Sequence, residues 1–148
     1  MDKYKETCKQ ITFASPIQIR TFLSTVIDKI KLDLDEGINQ YYIILIMLSG
    51  SVNDINETKA QLVKTAELPI SVFFVAVGNC DNYKEMEQLI KDESPIYNSQ
   101  GDKIKRDNIQ LVYYNGKNIE EEIFKEIPRQ VEEFFEMEKS MKFSLLSN

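Results

Sequence analysis

The residues Tyr41-Tyr42-Ile43-Ile44-Leu45-Ile46-Met47-Leu48 are apolar without interruption. A half-buried strand alternates apolar and polar side chains. An unbroken run instead fits a strand with helices above and below and a neighbour on each side, as in the middle of a parallel sheet. Ser49-Gly50-Ser51 ends it. Ser71-Val72-Phe73-Phe74-Val75-Ala76-Val77, stopped by Gly78-Asn79, and Ile109-Gln110-Leu111-Val112-Tyr113 read as two further strands. Around them the apolar spacing is helical. From Pro16, with Ser15 as candidate cap, the stripe runs Ile19, Phe22, Leu23, Val26, Ile27, Ile30, Leu34 and ends at Gly37. Asn53 and Asp54 are candidate caps for a helix carrying Ile55, Leu62, Val63 and Ala66, which closes before Pro69. Met86, Leu89 and Ile90 mark a short helix. From Asn118, the residues Ile119, Ile123, Ile127, Val131, Phe134 and Phe135 share one stripe, and Pro128 is expected to kink it. The polar stretch 92–107, with Pro95 and Gly101, reads as an irregular excursion with room for a small hairpin. Helices alternating with strands predict an open, doubly wound, Rossmann-like α/β fold with a mostly parallel sheet.

A chain of 148 residues can bury one core, and the pattern places that domain at 1–138 with a tail at 139–148. The apolar tail segment Phe143-Ser144-Leu145-Leu146 either frays or docks. The formal net charge is −6, so a generally basic nucleic-acid footprint is missing and no nucleic-acid partner is expected. Histidine is absent, which excludes histidine acid–base chemistry, Ser-His-Asp and Cys-His machinery, and histidine-ligated zinc. The two cysteines, Cys8 and Cys80, are too few for a four-thiolate metal site. No signal-like core opens the chain, and the longest apolar run is far short of the roughly 20 residues that span a bilayer. The expectation is an intracellular, soluble protein with no direct membrane binding.

Several segments in order resemble the copine family: the strand from Gln40, Asp54-Ile55-Asn56-Glu57-Thr58, Leu68-Pro69-Ile70-Ser71 and Val75-Ala76-Val77-Gly78-Asn79. Arg106-Asp107-Asn108-Ile109-Gln110-Leu111-Val112 and Ile127-Pro128-Arg129-Gln130-Val131 extend the likeness to about Phe135. The resemblance implies a copine-type von Willebrand factor A domain. Two departures accompany it. The family's first strand, ending in DxSxS, has no counterpart here, so the domain is expected to be partial. The family's metal-binding aspartate and threonine fall at Ser49 and near Ile17, a neutral hydroxyl and an apolar side chain. Hard divalent cations need oxygen ligands including carboxylates, so no metal and no cofactor are expected at these degenerate positions.

No catalytic constellation appears, and the chain reads as a non-enzyme. Ser49, Ser51, Asn53 and Asp54 after the first strand, Asn79 and Asp81 after the second, and the basic group Lys103, Lys105 and Arg106 in a solvated loop are the interaction candidates. Cys80, near a helix start, has no histidine base and reads as a structural thiol. Because the run 41–48 should have strands on both sides, its missing neighbour comes either from residues 9–13 folding back or from another chain. These features predict a non-catalytic protein–protein interaction module, a structural or scaffold subunit of a cytoskeletal or organellar assembly. The alternatives implied by the resemblance are a metal-dependent ligand-binding A domain completed by a second chain, or an adaptor in ubiquitin ligation or calcium/membrane signalling. Neither a RING nor a C2 domain lies within these residues.

Overall fold

The computed structural model describes residues 18–78, 83–91, 95–114 and 119–146, together with residues 3, 6 and 7. Its elements are α1 (Arg20–Asp35), β1 (Tyr42–Leu48), α2 (Ile55–Thr65), β2 (Ile70–Val77), α3 (Lys84–Lys91), β3 (Ile109–Tyr114) and α4 (Ile119–Leu146). The three strands form one parallel sheet in the order β1-β2-β3, with Ile43 opposite Ser71 and Val72 opposite Ile109. This is the expected α/β alternation.

Local chemistry explains the boundaries. The described part of the first helix begins at Arg20, with Ile19 at the N-cap. The cap expected at Ser15 and the start at Pro16 lie outside the described residues. At its other end Gly37 adopts φ 79°, which a side chain would oppose. The Gly37 amide then donates to the Leu34 carbonyl at 3.0 Å and the Ile38 amide to the Asp33 carbonyl at 2.8 Å, satisfying the last-turn acceptors. The polar excursion contains the small hairpin, closed by an antiparallel bridge between Tyr97 and Lys103 with Gly101 (φ 87°) at its tip.

Alternate strand residues build two cores. Ile70, Val72, Phe74, Ala76, Ile109 and Leu111 pack with Leu23, Ile27 and Ile30 of α1, Leu62 of α2 and Met86 of α3. On the opposite face Phe73, Val75 and Val112 meet Ile123 of α4, with Ile119 and Ile127 beside them. The sheet is thus wound on both faces.

One expectation is corrected. Among the described residues β1 is an outer strand, in keeping with its missing neighbour, and the run 41–48 is without the helix expected on one of its faces. Its core-facing Ile44 and Ile46 are half-buried and Leu48 is buried, while Ile43, Leu45 and Met47 are 41%, 52% and 78% exposed. The cause is the position of α4, which packs on Phe73, Val75 and Val112 and leaves β1 bare on that face. Residues 9–13 lie outside the described residues. Helix α4 continues across Pro128 and through residues 139–146, so the domain boundary expected at 138 falls inside a helix.

Candidate interaction surface

The sequence candidates fall at opposite ends of the sheet. Ser49, Ser51 and Asn53 follow β1 at its carboxyl end and are exposed. Ser51 and Asn53 line a cleft of about 800 Å³ with Asn56 and Glu57 of α2 and Glu85 and Gln88 of α3. Ile17, Asn79, Asp81 and both cysteines lie outside the described residues.

Asp54 takes a role other than the one its sequence position suggests. It occupies the N-cap of α2, but its side chain makes no bond there. Its carboxylate reaches back to α1, accepting the Ile19 amide on Oδ1 at 3.0 Å and the Arg20 amide on Oδ2 at 2.8 Å. Orphan first-turn donors of one helix are therefore satisfied by a residue that starts another. Asp54 is the only carboxylate in the turn 49–54, and both of its oxygens are engaged. Among the described residues no group of three or more His, Cys, Asp or Glu side chains is arranged to hold a metal.

The basic group at the other end separates in the same way. Lys103 is exposed on the hairpin, and Lys105 is exposed and pairs with Glu67 at 2.7 Å. Arg106 departs from the solvated-loop expectation: it is only 7% exposed. Its Nη2 donates to the carbonyls of Leu68 and Ile70 at 2.8 and 2.6 Å, Nε to Ala66 at 3.1 Å, and Nη1 to Gln130 at 3.1 Å and the Tyr41 hydroxyl at 3.2 Å. The guanidinium lies 5.8 and 5.3 Å from the ring centroids of Tyr41 and Phe134. The negative end of α2 and two aromatic faces thus replace a carboxylate partner. Arg106 is a structural tie between α2, β2 and α4, and it leaves the set of accessible contacts.

Two further clusters escaped sequence reasoning. Tyr83 donates its hydroxyl to the carbonyls of Leu48 and Val77, joining the carboxyl ends of β1 and β2. Arg129 on α4 meets Asp107 at 2.9 Å, Glu126 at 2.9 Å and Glu133 at 2.6 Å. Burial works against its charge, but the hydrogen bonds to Glu126, Glu133 and Asp107 outweigh that and hold its pKa above the ordinary arginine value.

The remaining surface is β1 itself. The Tyr42 amide donates to the Pro69 carbonyl at 2.7 Å. Parallel ladder geometry then turns the amides and carbonyls of Tyr42, Ile44 and Ile46 toward β2, and those of Ile43, Leu45 and Met47 outward. Among the described residues, one set therefore presents both an unpaired backbone edge and an uncovered apolar face. The signal was present in the sequence as a strand without charge, proline or glycine.

The sequence model of the copine family matches residues 1–142. The chain belongs to the copine family. Its similar relatives include Protein BONZAI 2 and Protein BONZAI 1 of Arabidopsis thaliana, each 29% identical over 136 residues, or 88% of this chain. The chain spans only 23% of the length of either relative. This copine segment is an α/β unit with a three-stranded parallel sheet, and no helix among its described residues is long and apolar enough to cross a membrane.

Proposed function

We propose that this copine-family chain is a non-catalytic protein–protein interaction module, a structural subunit that joins its assembly through the outer edge of β1. The carrying observation is the coincidence at Ile43, Leu45 and Met47 of outward backbone groups with exposed apolar side chains. A strand supplied by a neighbour pairs with the edge, while apolar side chains from that neighbour cover the face beside α4. Covering three such side chains contributes on the order of a few kcal/mol. The reading is metal-free, because Ser49 brings no charge and Asp54 is committed to α1.

Hydrogen exchange at the Ile43, Leu45 and Met47 amides, followed in the chain alone and in the chain purified with its assembly, tests this reading. Protection that appears in the assembly and disappears in a Leu45→Lys, Met47→Lys variant supports it. A chain recovered from its native source as a monomer, with those amides exchanging freely, overturns it.

A further inference from the structure

Helix α4 sits off-centre on its face of the sheet. Its buried stripe stands over β2 and β3, where Ile123 packs with Phe73, Val75 and Val112. Phe124 and Phe135 stay 65% and 45% exposed. Eleven positions separate them, about three helical turns, so they share one side of α4 roughly 16 Å apart. That side is turned toward β1: Phe135 and Tyr41 line one recess of about 340 Å³, and the adjacent Phe134 meets the Tyr41 ring edge-on at 5.9 Å. Strand alternation puts Tyr41, whose hydroxyl reaches Ser71, on the same face as Ile43, Leu45 and Met47, a row of about 20 Å. An apolar floor and an apolar wall of similar length therefore meet in a trough above β1 and beside α4, open among the described residues.

Backbone chemistry limits what can fill it. The amides and carbonyls of β1 lie in the plane of the sheet, and those of α4 are spent within the helix. An extended segment or a loop lying above β1 would bury its own N–H and C=O groups without partners. A helix satisfies them internally, and at a spacing of about 8–10 Å from α4 it rests over β1 and the strand position next to it. Charge separates a protein helix from a lipid surface. The chain carries a net −6, and Glu120, Glu121 and Glu122 form the first turn of α4, at the Met47 end of the trough, where they repel anionic headgroups and favour cations.

We infer that the trough receives an amphipathic helix of the partner, lying alongside α4, with its apolar face on Ile43, Leu45 and Met47 and against Phe124 and Phe135. Lysine or arginine side chains stand at its end nearest the first turn of α4. This inference rests on the β1 reading and names the part of the partner that covers the face: a strand pairs with the edge, and the helix lies above it.

The probe is a labelled peptide of about 14 residues with leucine at helical spacing and lysine elsewhere, titrated against the full chain by fluorescence anisotropy. One control has the same composition with leucine at every second position, and another has glutamate in place of lysine. The helical lysine peptide binds and gains helical circular dichroism, the alternating isomer fails, and the glutamate peptide binds more weakly. Phe124→Gln with Phe135→Gln, which changes no charge, weakens binding by roughly tenfold or more; Met47→Gln weakens it as well. The Met47 methyl resonance moves on binding, while the outward amides of Ile43, Leu45 and Met47 keep their exchange rates, because a helix above the sheet does not reach them. No binding at millimolar peptide, equal binding of the alternating isomer, or indifference to the double variant each overturns the inference. So does self-association of the chain, or its binding to phosphatidylserine vesicles, if the same double variant abolishes it. Edge amides protected in the native assembly, with the double variant assembling as well as the natural chain, remove the helix and keep the β1 reading; edge amides unprotected there remove that reading itself.

Discussion

Arg106 donates to the carbonyl of Ile70 at 2.6 Å, fastening the first residue of β2 to a side chain that enters from just before β3. The same guanidinium holds Ala66 and Leu68 after α2 and Gln130 within α4. All its acceptors are neutral, so removing the cation strands no charge; it takes a donor from each carbonyl, although Ile70 keeps the Asn108 side-chain amide at 3.0 Å and Leu68 the Ile70 amide at 2.8 Å. Arg106→Met is expected to cost roughly 2–3 kcal/mol, read as a lower denaturation midpoint in urea. Arg106→Lys recovers little of this, because one ammonium cannot fork across carbonyls from three elements.

The capping of α1 by Asp54 gives a second expectation. Asp54→Ala removes both acceptors and is expected to cost about 1–2 kcal/mol, with faster amide exchange at Ile19 and Arg20. Asp54→Asn keeps one oxygen and gives a smaller loss. A cap serving only its own helix would leave the Ile19 and Arg20 amides unaffected.

Stability toward acid depends on Asp33, which is buried and accepts bonds from Lys29 and, at 2.5 Å, from the Tyr42 hydroxyl. The Lys29 bond first, then the Tyr42 bond, hold its carboxyl below the ordinary range. The bond to Asp33 raises Lys29 and likewise Tyr42. A depressed carboxyl contributes fully above its unfolded value and loses its contribution as pH falls through the folded one. Raised Lys29 and Tyr42 behave oppositely, contributing below their unfolded values and fading as pH climbs past the folded ones. Stability from this cluster is therefore level through neutral pH and declines at both extremes. Asp33→Asn should flatten the acid limb of a plot of unfolding free energy against pH, and Tyr42→Phe the alkaline limb.

The turn after β1 yields a prediction about cations. Calorimetric titration of Mn²⁺ into the chain should show no binding tighter than millimolar, and Ser49→Ala should change nothing. Tight binding that vanishes in Ser49→Ala would remove the metal-free part of the proposed function and leave the β1 edge untouched.

The strands and most helices were legible because their signals are local. The run ending at Leu48, the spacing from Ile19 to Leu34 and the break at Gly37 each act within a few residues. What escaped depends on partners distant in sequence. An uninterrupted apolar strand shows that both faces suit burial, not whether a helix reaches both, and Met47 at 78% exposure is the result. Asp54 stands where a cap for α2 belongs, and its service to α1 exists only once the two helices are packed. Arg106 shares its neighbourhood with exposed Lys103 and Lys105, and only the folded arrangement of carbonyls separates it from them. The candidate residues at the two ends of the sheet were found singly; that they form no single site is a property of parallel strands, whose ends lie on opposite sides of the molecule.

The two margins of the sheet bear on how copies of this protein can aggregate. A hydrocarbon border along β1 and an acid-rimmed border along β3 do not match, so one molecule's leading side is a poor template for the next one's trailing side. Head-to-tail stacking into an endless ribbon is disfavoured by the molecule's own asymmetry.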